Sequence, residues 1–202
     1  DESLMPKIIR IATRKSPLAL WQAEKVRELI QNIDDSIEIE LIKITTTGDK
    51  IQDKPLYEIG GKSLFLKELE QALLENDCDI AVHSMKDMPA ELHEDLVISA
   101  ILEREDDRDV LISNKYNSLT EFTTDSSIGT SSVRRICNLK YEYPNIKISD
   151  MRGNIDTRIN KIVNNEIEGI ILAAAGVKRL GLKKYITAYM DKNTWVPAIG
   201  QG

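Results

Sequence analysis

A short apolar run that ends abruptly in polar residues is the feature that most constrains the fold. Ile80-Ala81-Val82 is followed by His83-Ser84-Met85-Lys86-Asp87 and then, after Met88, by Pro89. Consecutive apolar residues are typical of a strand that is covered on both faces, as in a parallel α/β sheet, and proline prevents regular continuation of the strand. Because open α/β sheets bind ligands at the carboxyl ends of their strands, Lys86 and Asp87 are predicted to lie at a ligand site. An exposed loop salt bridge would also explain the pair.

The pattern of a strand followed by a helix recurs along the chain. Strands are predicted at residues 7–12, 37–45, 80–82, 96–102, 109–113, 127–129, 146–151 and 168–174. A first helix is predicted to begin at Pro17 with Ser16 as its N-cap, and Ser63 is predicted to cap a later helix. Residues 46–63 between the second strand and that helix are predicted to form a long loop, which is often functional. The charged run 103–108 predicts a crossing between two α/β lobes.

Composition excludes several classes of protein. The net charge of −6 argues against a general nucleic-acid binder. No apolar run approaches the roughly 20 residues that span a bilayer, and no signal-peptide core is visible, so we expect a protein of the cytoplasm or of an organelle matrix, without a membrane partner. Cys78 and Cys137 lie far apart and in no metal-ligand spacing, which favours reduced structural thiols over a disulfide or a zinc site.

Basic residues concentrate at the turns that lead from strands into helices, although the chain as a whole is acidic. They are Arg14, Lys62, Lys86, Arg134, Arg135, Arg152, Arg158 and Arg179. Cations early in a helix oppose its dipole, so Arg134 and Arg135 are better explained by an anionic ligand than by helix stability. The set predicts a ligand with several carboxylates or phosphates, although each arginine taken alone could be a solvated surface residue. The full P-loop spacing is absent around Gly60-Gly61-Lys62-Ser63, which argues against a nucleotide site.

Six ordered segments resemble motifs of the porphobilinogen deaminase (hydroxymethylbilane synthase) family. They are Arg10-Ile11-Ala12-Thr13-Arg14-Lys15-Ser16-Pro17-Leu18-Ala19, Gly60-Gly61-Lys62-Ser63-Leu64-Phe65, His83-Ser84-Met85-Lys86-Asp87, Gly129-Thr130-Ser131-Ser132-Val133-Arg134-Arg135, Arg152-Gly153-Asn154 and Pro197-Ala198-Ile199-Gly200-Gln201-Gly202. The resemblance covers nearly the whole chain.

This resemblance implies an α/β fold of two lobes of the type-II periplasmic-binding-protein-like kind around a central cleft. Residues 1–102 would form the first lobe, with residues 196–202 returning towards it, and residues 103–195 would form the second. The family also implies a small third domain, absent from this sequence, in which a cysteine carries a covalent dipyrromethane cofactor. Neither Cys78 nor Cys137 matches that cysteine.

The implied activity belongs to tetrapyrrole and heme biosynthesis: a transferase joins four porphobilinogen molecules head to tail into hydroxymethylbilane and releases ammonia. Carried over by motif position, Asp87 is the catalytic residue, and no metal is implied. The implied cofactor-binding residues are Ser84, Lys86, Asp87, Thr130, Ser132, Arg134, Arg135, Arg152 and Gly153. The implied substrate-binding residues are Arg14, Ser16, Lys62, Phe65, Arg152, Arg158 and Arg179.

The competing interpretation is a non-catalytic, two-lobed module that binds anions. It applies most strongly to the 202-residue chain on its own, which we expect to bind without turnover because the cofactor-bearing domain is not part of it. We expect a monomer whose partner is the small molecule porphobilinogen.

Overall fold

The computed structural model describes residues 7–54 and 56–202, which form two compact units. The first unit comprises the described residues up to Ile51 together with Gly60–Ile101. The second comprises Gln52–Ile59 and Leu102–Gly202. These units differ from the predicted lobes in two details. Residues 52–59 group with the second unit, and residues 196–202, expected to turn back towards the first lobe, group with the second unit as well.

The first unit is built on a three-stranded parallel sheet. Its strands are β1 (Ile8–Arg14), β2 (Glu38–Ile44) and β3 (Ile80–Ala81), in the order β2-β1-β3. Ile11 of β1 lies opposite Leu41 on one side and Ile80 on the other. Because β1 is the central strand, its residues Ile11–Thr13 are completely buried. Three of the four strands predicted in this part of the chain are therefore present, and they are parallel.

Two helices support this sheet. Helix α1 (Pro17–Ile33) begins where Ser16 and Pro17 predict, since the Ser16 side chain accepts a hydrogen bond from the Ala19 amide. After the short helices α2 (Thr47–Lys50) and α3 (Leu56–Ile59), helix α4 (Lys67–Leu74) packs its apolar face on the sheet. The core of the unit contains Ala12, Leu66, Leu69, Ala72 and Cys78. Burial of each leucine contributes roughly 1.5–3 kcal/mol.

Three sequence predictions fail between residues 46 and 102. The segment 46–63 is not a continuous loop, because it contains α2, α3 and the start of a 3₁₀ helix at Gly61–Phe65. Ser63 does not cap α4, because its hydroxyl donates to the carbonyl of Gly60 within that 3₁₀ helix. Residues 96–102 form no strand, and Val97 and Ile101 are exposed. A strand needs a hydrogen-bonded neighbour, and none of the described residues pairs with this segment.

The second unit is built on a mixed five-stranded sheet. Its strands, in the order β6-β5-β7-β4-β8, are β4 (Asp109–Ile112), β5 (Ser127–Gly129), β6 (Lys147–Ser149), β7 (Gly169–Ala173) and β8 (Ala188–Tyr189). Strands β6, β5 and β7 are parallel, whereas β4 runs antiparallel to both β7 and β8. The sequence predicted four of these strands but missed β8 and the antiparallel direction of β4.

Each parallel strand of the second unit leads into a helix. These helices are α5 (Val133–Glu142), α6 (Ile155–Val163) and α7 (Ala174–Arg179). They and the sheet enclose a core that includes Leu111, Ile128, Leu139, Ile171 and Trp195. Since β5, β6 and β7 end at the same edge of the sheet, the turns into α5 and α6 bring Thr130 and Arg152 to that edge. Among the helices that the structure describes, none is both long and apolar enough to cross a membrane.

Candidate functional site

In the first unit, Lys86 and Asp87 lie in a 3₁₀ turn, Met85–Asp87, that follows β3. The Asp87 amide donates to the Ser84 carbonyl over 3.1 Å, and both Lys86 and Asp87 are partly buried. The Ser84 hydroxyl accepts a hydrogen bond of 2.9 Å from the side-chain amide of Gln22 on α1. This contact fixes the turn against the helix. The sequence analysis missed Gln22, because a polar residue beside the apolar stripe of a helix normally faces solvent.

At the end of β1, Arg14 is held between an acidic and an aromatic side chain. Its Nε donates to Asp49 Oδ2 over 3.3 Å, its Nη2 contacts Asp49 Oδ1, and its Cζ lies 4.2 Å from the centre of the Phe65 ring. Burial would raise the pKa of Asp49, but hydrogen bonds from Arg14 and Thr46 hold that pKa below its usual range. Arg14 and Phe65 therefore lie in contact, and their assignment to the substrate stays a prediction, whereas the sequence analysis missed Asp49. The sequence signal that could have revealed Asp49 is its capping-box spacing from Thr46.

Two other predicted residues of the first unit are less informative. The Ser16 hydroxyl oxygen is used by the N-cap of α1, where it accepts from the Ala19 amide over 3.3 Å. Its O–H remains a donor for a ligand. The side chain of Lys62 lies outside the described part of the structure, so its assignment stays a prediction.

In the second unit, Arg134 and Arg135 converge on one buried carboxylate, that of Asp109 at the start of β4. Arg134 Nη1 lies 2.7 Å from Asp109 Oδ2, and Arg135 Nη2 lies 3.0 Å from Asp109 Oδ1. The Asp109 side chain also accepts from Trp195 Nε1 and Gln201 Nε2, each at 2.8 Å. Burial alone would raise the pKa of Asp109, but the positive charges of Arg135 and Arg134 hold it well below its usual range. Asp109 therefore remains a carboxylate.

The sequence analysis interpreted both arginines as ligand contacts and missed Asp109. The structure gives them an internal partner that is 25 or 26 residues away in sequence. The sequence signal that could have revealed this pairing is Asp109 itself, an acidic residue at the start of an apolar strand. A charge buried at such a position must be paired with an opposite charge. Arg135 is buried, whereas the side chain of Arg134 keeps 23% of its surface exposed.

The turn into α5 also holds the two predicted hydroxyl residues. Thr130 is buried, its amide donates to the Ser149 carbonyl, and its Oγ1 accepts from the Ser132 amide over 3.2 Å. Ser132 is the N-cap of α5 and accepts from the Arg135 amide. The two hydroxyl oxygens thus shape the turn, while the hydroxyl hydrogens remain able to donate.

The turn into α6 contains Arg152 and Gly153. Arg152 Nη1 donates to the carbonyl of Lys54 over 2.9 Å. Gly153 has a φ of +115°, a conformation that residues with a side chain rarely adopt. Glycine at position 153 therefore has a backbone cause, and its assignment to the cofactor stays a prediction.

Arg158, in the first turns of α6, is a cation with little internal compensation. Its Nε is buried, and no hydrogen-bond acceptor among the described residues reaches that atom. Burial, with a smaller contribution from the charge of Arg135, lowers the pKa of Arg158 to about 10. Arg179 ends α7, and burial lowers the pKa of its guanidinium while the nearby Glu105 opposes that change. Together with Arg134, these residues make the second unit suited to binding an anion.

Comparison with known families decides which proteins the chain resembles. Residues 9–202 match the family described as "Porphobilinogen deaminase, dipyromethane cofactor binding domain". The chain belongs to the porphobilinogen deaminase family. A curated porphobilinogen deaminase from Syntrophomonas wolfei subsp. wolfei is 52% identical over 194 residues, which are 96% of this chain and 63% of that relative. The chain thus spans 63% of the length of this curated porphobilinogen deaminase.

Similar solved structures include proteins outside the porphobilinogen deaminase family. A nutrient binding protein from Burkholderia cenocepacia, bound to methionine, has a TM-score of 0.54 at 12% identity, covering 91% of this chain and 79% of that one. A double mutant of the VFT2 domain of Bordetella pertussis BvgS has a TM-score of 0.52 at 14% identity, covering 95% and 77%. At such identities the likeness shows the fold alone, and it confirms the predicted α/β, type-II periplasmic-binding-protein-like class.

Proposed function

We propose that this chain is the ligand-binding part of a full-length porphobilinogen deaminase. That enzyme joins four porphobilinogen molecules head to tail into hydroxymethylbilane and releases one ammonia for each. The family match and the relative at 52% identity support this proposal. Porphobilinogen and its products carry acetate and propionate groups, so the enzyme must hold a polycarboxylate.

The observation that carries the proposal is the buried Nε of the Arg158 guanidinium. A buried cation is unfavourable unless an opposite charge compensates it. Within the described chain, Nε of Arg158 has no acceptor, and the pKa of the side chain is lowered to about 10. A carboxylate supplied by a ligand would satisfy that donor through a charge-assisted hydrogen bond. The chemistry of this position therefore fits a ligand carboxylate of the kind that porphobilinogen and the dipyrromethane cofactor both carry.

We assign the carboxylates of the dipyrromethane cofactor to residues that can donate hydrogen bonds. The assigned residues are Ser84, Lys86, Thr130, Ser132, Arg134, Arg135, Arg152 and, through its backbone, Gly153. When bound, the cofactor supplies the pyrrole carbon to which the first substrate unit is joined. We place its attachment at a cysteine outside residues 1–202. Cys78 is unsuited to that task, because burial raises the pKa of its thiol and leaves less reactive thiolate.

Asp87 is the proposed catalytic residue. A carboxylate can stabilise the positive charge that develops on the pyrrole as ammonia leaves, and it can accept and return a proton. The 3₁₀ turn after β3 restricts where Asp87 points, because its amide is bonded to the Ser84 carbonyl. The incoming substrate is assigned to Arg14, Ser16, Lys62, Phe65, Arg152, Arg158 and Arg179.

The proposal predicts that Asp87→Asn in the full-length protein folds normally but turns over about 10²- to 10⁴-fold more slowly, because an amide cannot offset positive charge. Ammonia release and product formation measure turnover, while mass spectrometry detects the covalent cofactor. Asp87→Glu should retain more activity than the amide. Asp95→Asn, at an exposed loop carboxylate, is the matched control and should behave as wild type.

Near-normal turnover of a well-folded Asp87→Asn protein would remove Asp87 from the mechanism. The competing function, anion binding without catalysis, rests on the likeness of the fold to a methionine-bound nutrient binding protein. In that case the wild-type full-length protein would bind a dipyrromethane but would release no ammonia from porphobilinogen.

A further inference from the structure

The side chain of Asp109 accepts hydrogen bonds on both of its oxygens from several other side chains. Its Oδ1 accepts from Gln201 Nε2 at 2.8 Å, Arg135 Nη2 at 3.0 Å and Arg134 Nη2 at 3.3 Å. Its Oδ2 accepts from Arg134 Nη1 at 2.7 Å, Trp195 Nε1 at 2.8 Å and Arg135 Nε at 3.2 Å. The carboxylate has no exposed surface, so it cannot itself contact a ligand.

The two arginines that share Asp109 differ in how exposed they are. Arg135 is almost completely buried, and its remaining terminal nitrogen donates to the Ile171 carbonyl over 3.1 Å. Arg134 is partly exposed, and its Nη1 also donates to the Val196 carbonyl over 2.8 Å. Of the two, Arg134 therefore combines a fixed position with access to solvent. Its orientation depends on Asp109 of β4, whose carboxylate accepts hydrogen bonds from both terminal nitrogens of Arg134.

Asp109 also compensates the positive charge of Arg134 and Arg135 at the start of α5. Two guanidinium groups in the first turn of a helix repel each other and oppose the helix dipole. One buried carboxylate between them cancels one of the two positive charges and replaces the repulsion by two attractions. The terminal nitrogens of Arg134 donate to Asp109, Val196 and Gln201, which leaves its Nε to donate to a ligand carboxylate. Without Asp109, the guanidinium groups would separate towards water, and Arg134 would lose the fixed orientation of that donor.

We propose that Asp109 is a positioning residue for ligand binding, because it holds Arg134 in the orientation that receives a ligand carboxylate. Trp195 and Gln201 in turn fix the side-chain carboxylate of Asp109. This inference rests on the proposed function, because the ligand is taken to be a polycarboxylate. It assigns to the internal contacts of Asp109 an effect on affinity in addition to their effect on folding.

The test measures the affinity of the cofactor-free, full-length protein for a synthetic dipyrromethane bearing acetate and propionate groups. Asp109→Asn keeps the shape but removes the charge, and it should weaken binding at least about tenfold. Asp106→Asn is the matched control. Asp106 is also paired with two cations, Arg108 and Lys178, but neither lies on α5, so binding should stay within about twofold of wild type.

A double-mutant cycle separates positioning from general destabilisation. Arg134→Lys should weaken binding in the wild-type background, but it should have little further effect in Asp109→Asn, because Arg134 is no longer held there. Additive effects of the two substitutions would overturn the inference. So would wild-type affinity in Asp109→Asn.

If Asp109→Asn does not fold, Trp195→Phe keeps an aromatic ring and removes one donor to Asp109 Oδ2. It should weaken binding about threefold, in the same direction, whereas unchanged affinity would count against the inference. Failure of the proposed function has a different signature. The wild-type protein itself would then not bind the dipyrromethane, and the inference would fall with the function on which it rests.

Discussion

Among single residues, Arg158 shows most directly how binding and stability conflict. Its Nε lies in a buried position without an acceptor among the described residues, and the pKa of the side chain is lowered to about 10. Although the residue as a whole is partly exposed, desolvation of Nε is unfavourable, so we expect this atom to destabilise the ligand-free fold. Such a residue is best explained by a ligand that supplies the missing negative charge.

Replacing Arg158 with methionine should therefore have opposite effects on stability and binding. In the cofactor-free protein we expect the free energy of unfolding to rise by roughly 1–3 kcal/mol, because the desolvated charge is gone. Affinity for the dipyrromethane should fall by about tenfold or more. Urea unfolding and isothermal titration calorimetry measure the two effects. Lys161→Met, on the same helix, is the control and should affect binding little. A less stable Arg158→Met protein with unchanged affinity would contradict this interpretation.

The acid sensitivity of the fold should depend on Asp109. The folded protein holds the pKa of this carboxyl below its unfolded value, so its contribution to stability is complete above the ordinary carboxyl pKa. That contribution is lost as pH falls through the lowered, folded-state pKa. Urea unfolding of wild type and Asp109→Asn should consequently show a stability difference that is largest near neutral pH and shrinks below about pH 4. A constant difference across this range would show that the charge of Asp109 is not what stabilises the fold.

At the scale of secondary-structure elements, α1 and the turn before it have to satisfy two requirements at once. Ser16 caps the helix through its hydroxyl oxygen, and the same residue is assigned to the substrate. Loss of an N-cap side chain destabilises a helix by about 1 kcal/mol. Aspartate is an equally good cap that also interacts favourably with the helix dipole, but it would place a negative charge beside an anionic substrate.

These properties allow the two roles of Ser16 to be separated. Ser16→Ala should lower the free energy of unfolding by about 1 kcal/mol, whereas Ser16→Asp should keep wild-type stability. If the substrate assignment is correct, Ser16→Asp should nevertheless raise KM for porphobilinogen by about tenfold or more, through repulsion. Steady-state kinetics of the full-length protein and thermal unfolding measure these changes. An ordinary KM in the Ser16→Asp variant would assign Ser16 to the helix alone.

Elements with a local signal were predictable, and those that depend on distant pairing were not. Ser16 and Pro17 are adjacent residues that together mark the start of α1, and the observed helix begins at Pro17. Residues 96–102 have an apolar pattern suited to a strand, but no described segment pairs with them. Strand β8 shows the opposite case, because its two residues gain strand character only by pairing with β4, which lies more than 70 residues earlier.

The same distinction holds for the molecule as a whole. The α/β class and the grouping of cations at strand ends could be predicted, because each depends on residues close together in sequence. The partners of those cations could not. Asp49 lies 35 residues from Arg14, and Gln201 lies 92 residues from Asp109. Sequence alone therefore predicted that anions matter to this protein, but not that several arginines are held by internal carboxylates.

A polypeptide consisting only of residues 1–202 should bind a dipyrromethane but should not sustain turnover. The proposed attachment cysteine lies outside these residues, and the pKa of Cys78 is raised by burial. Binding should weaken as salt is added, because exposed charges are screened over about 10 Å at 0.1 M ionic strength. Ammonia release from porphobilinogen and dipyrromethane binding across a salt series would be measured beside the full-length protein as control. Continued ammonia release by the 202-residue polypeptide would overturn the requirement for an outside cysteine. Cys78→Ser and Cys137→Ser would then show which thiol carries the growing chain, because those are the two cysteines of this sequence.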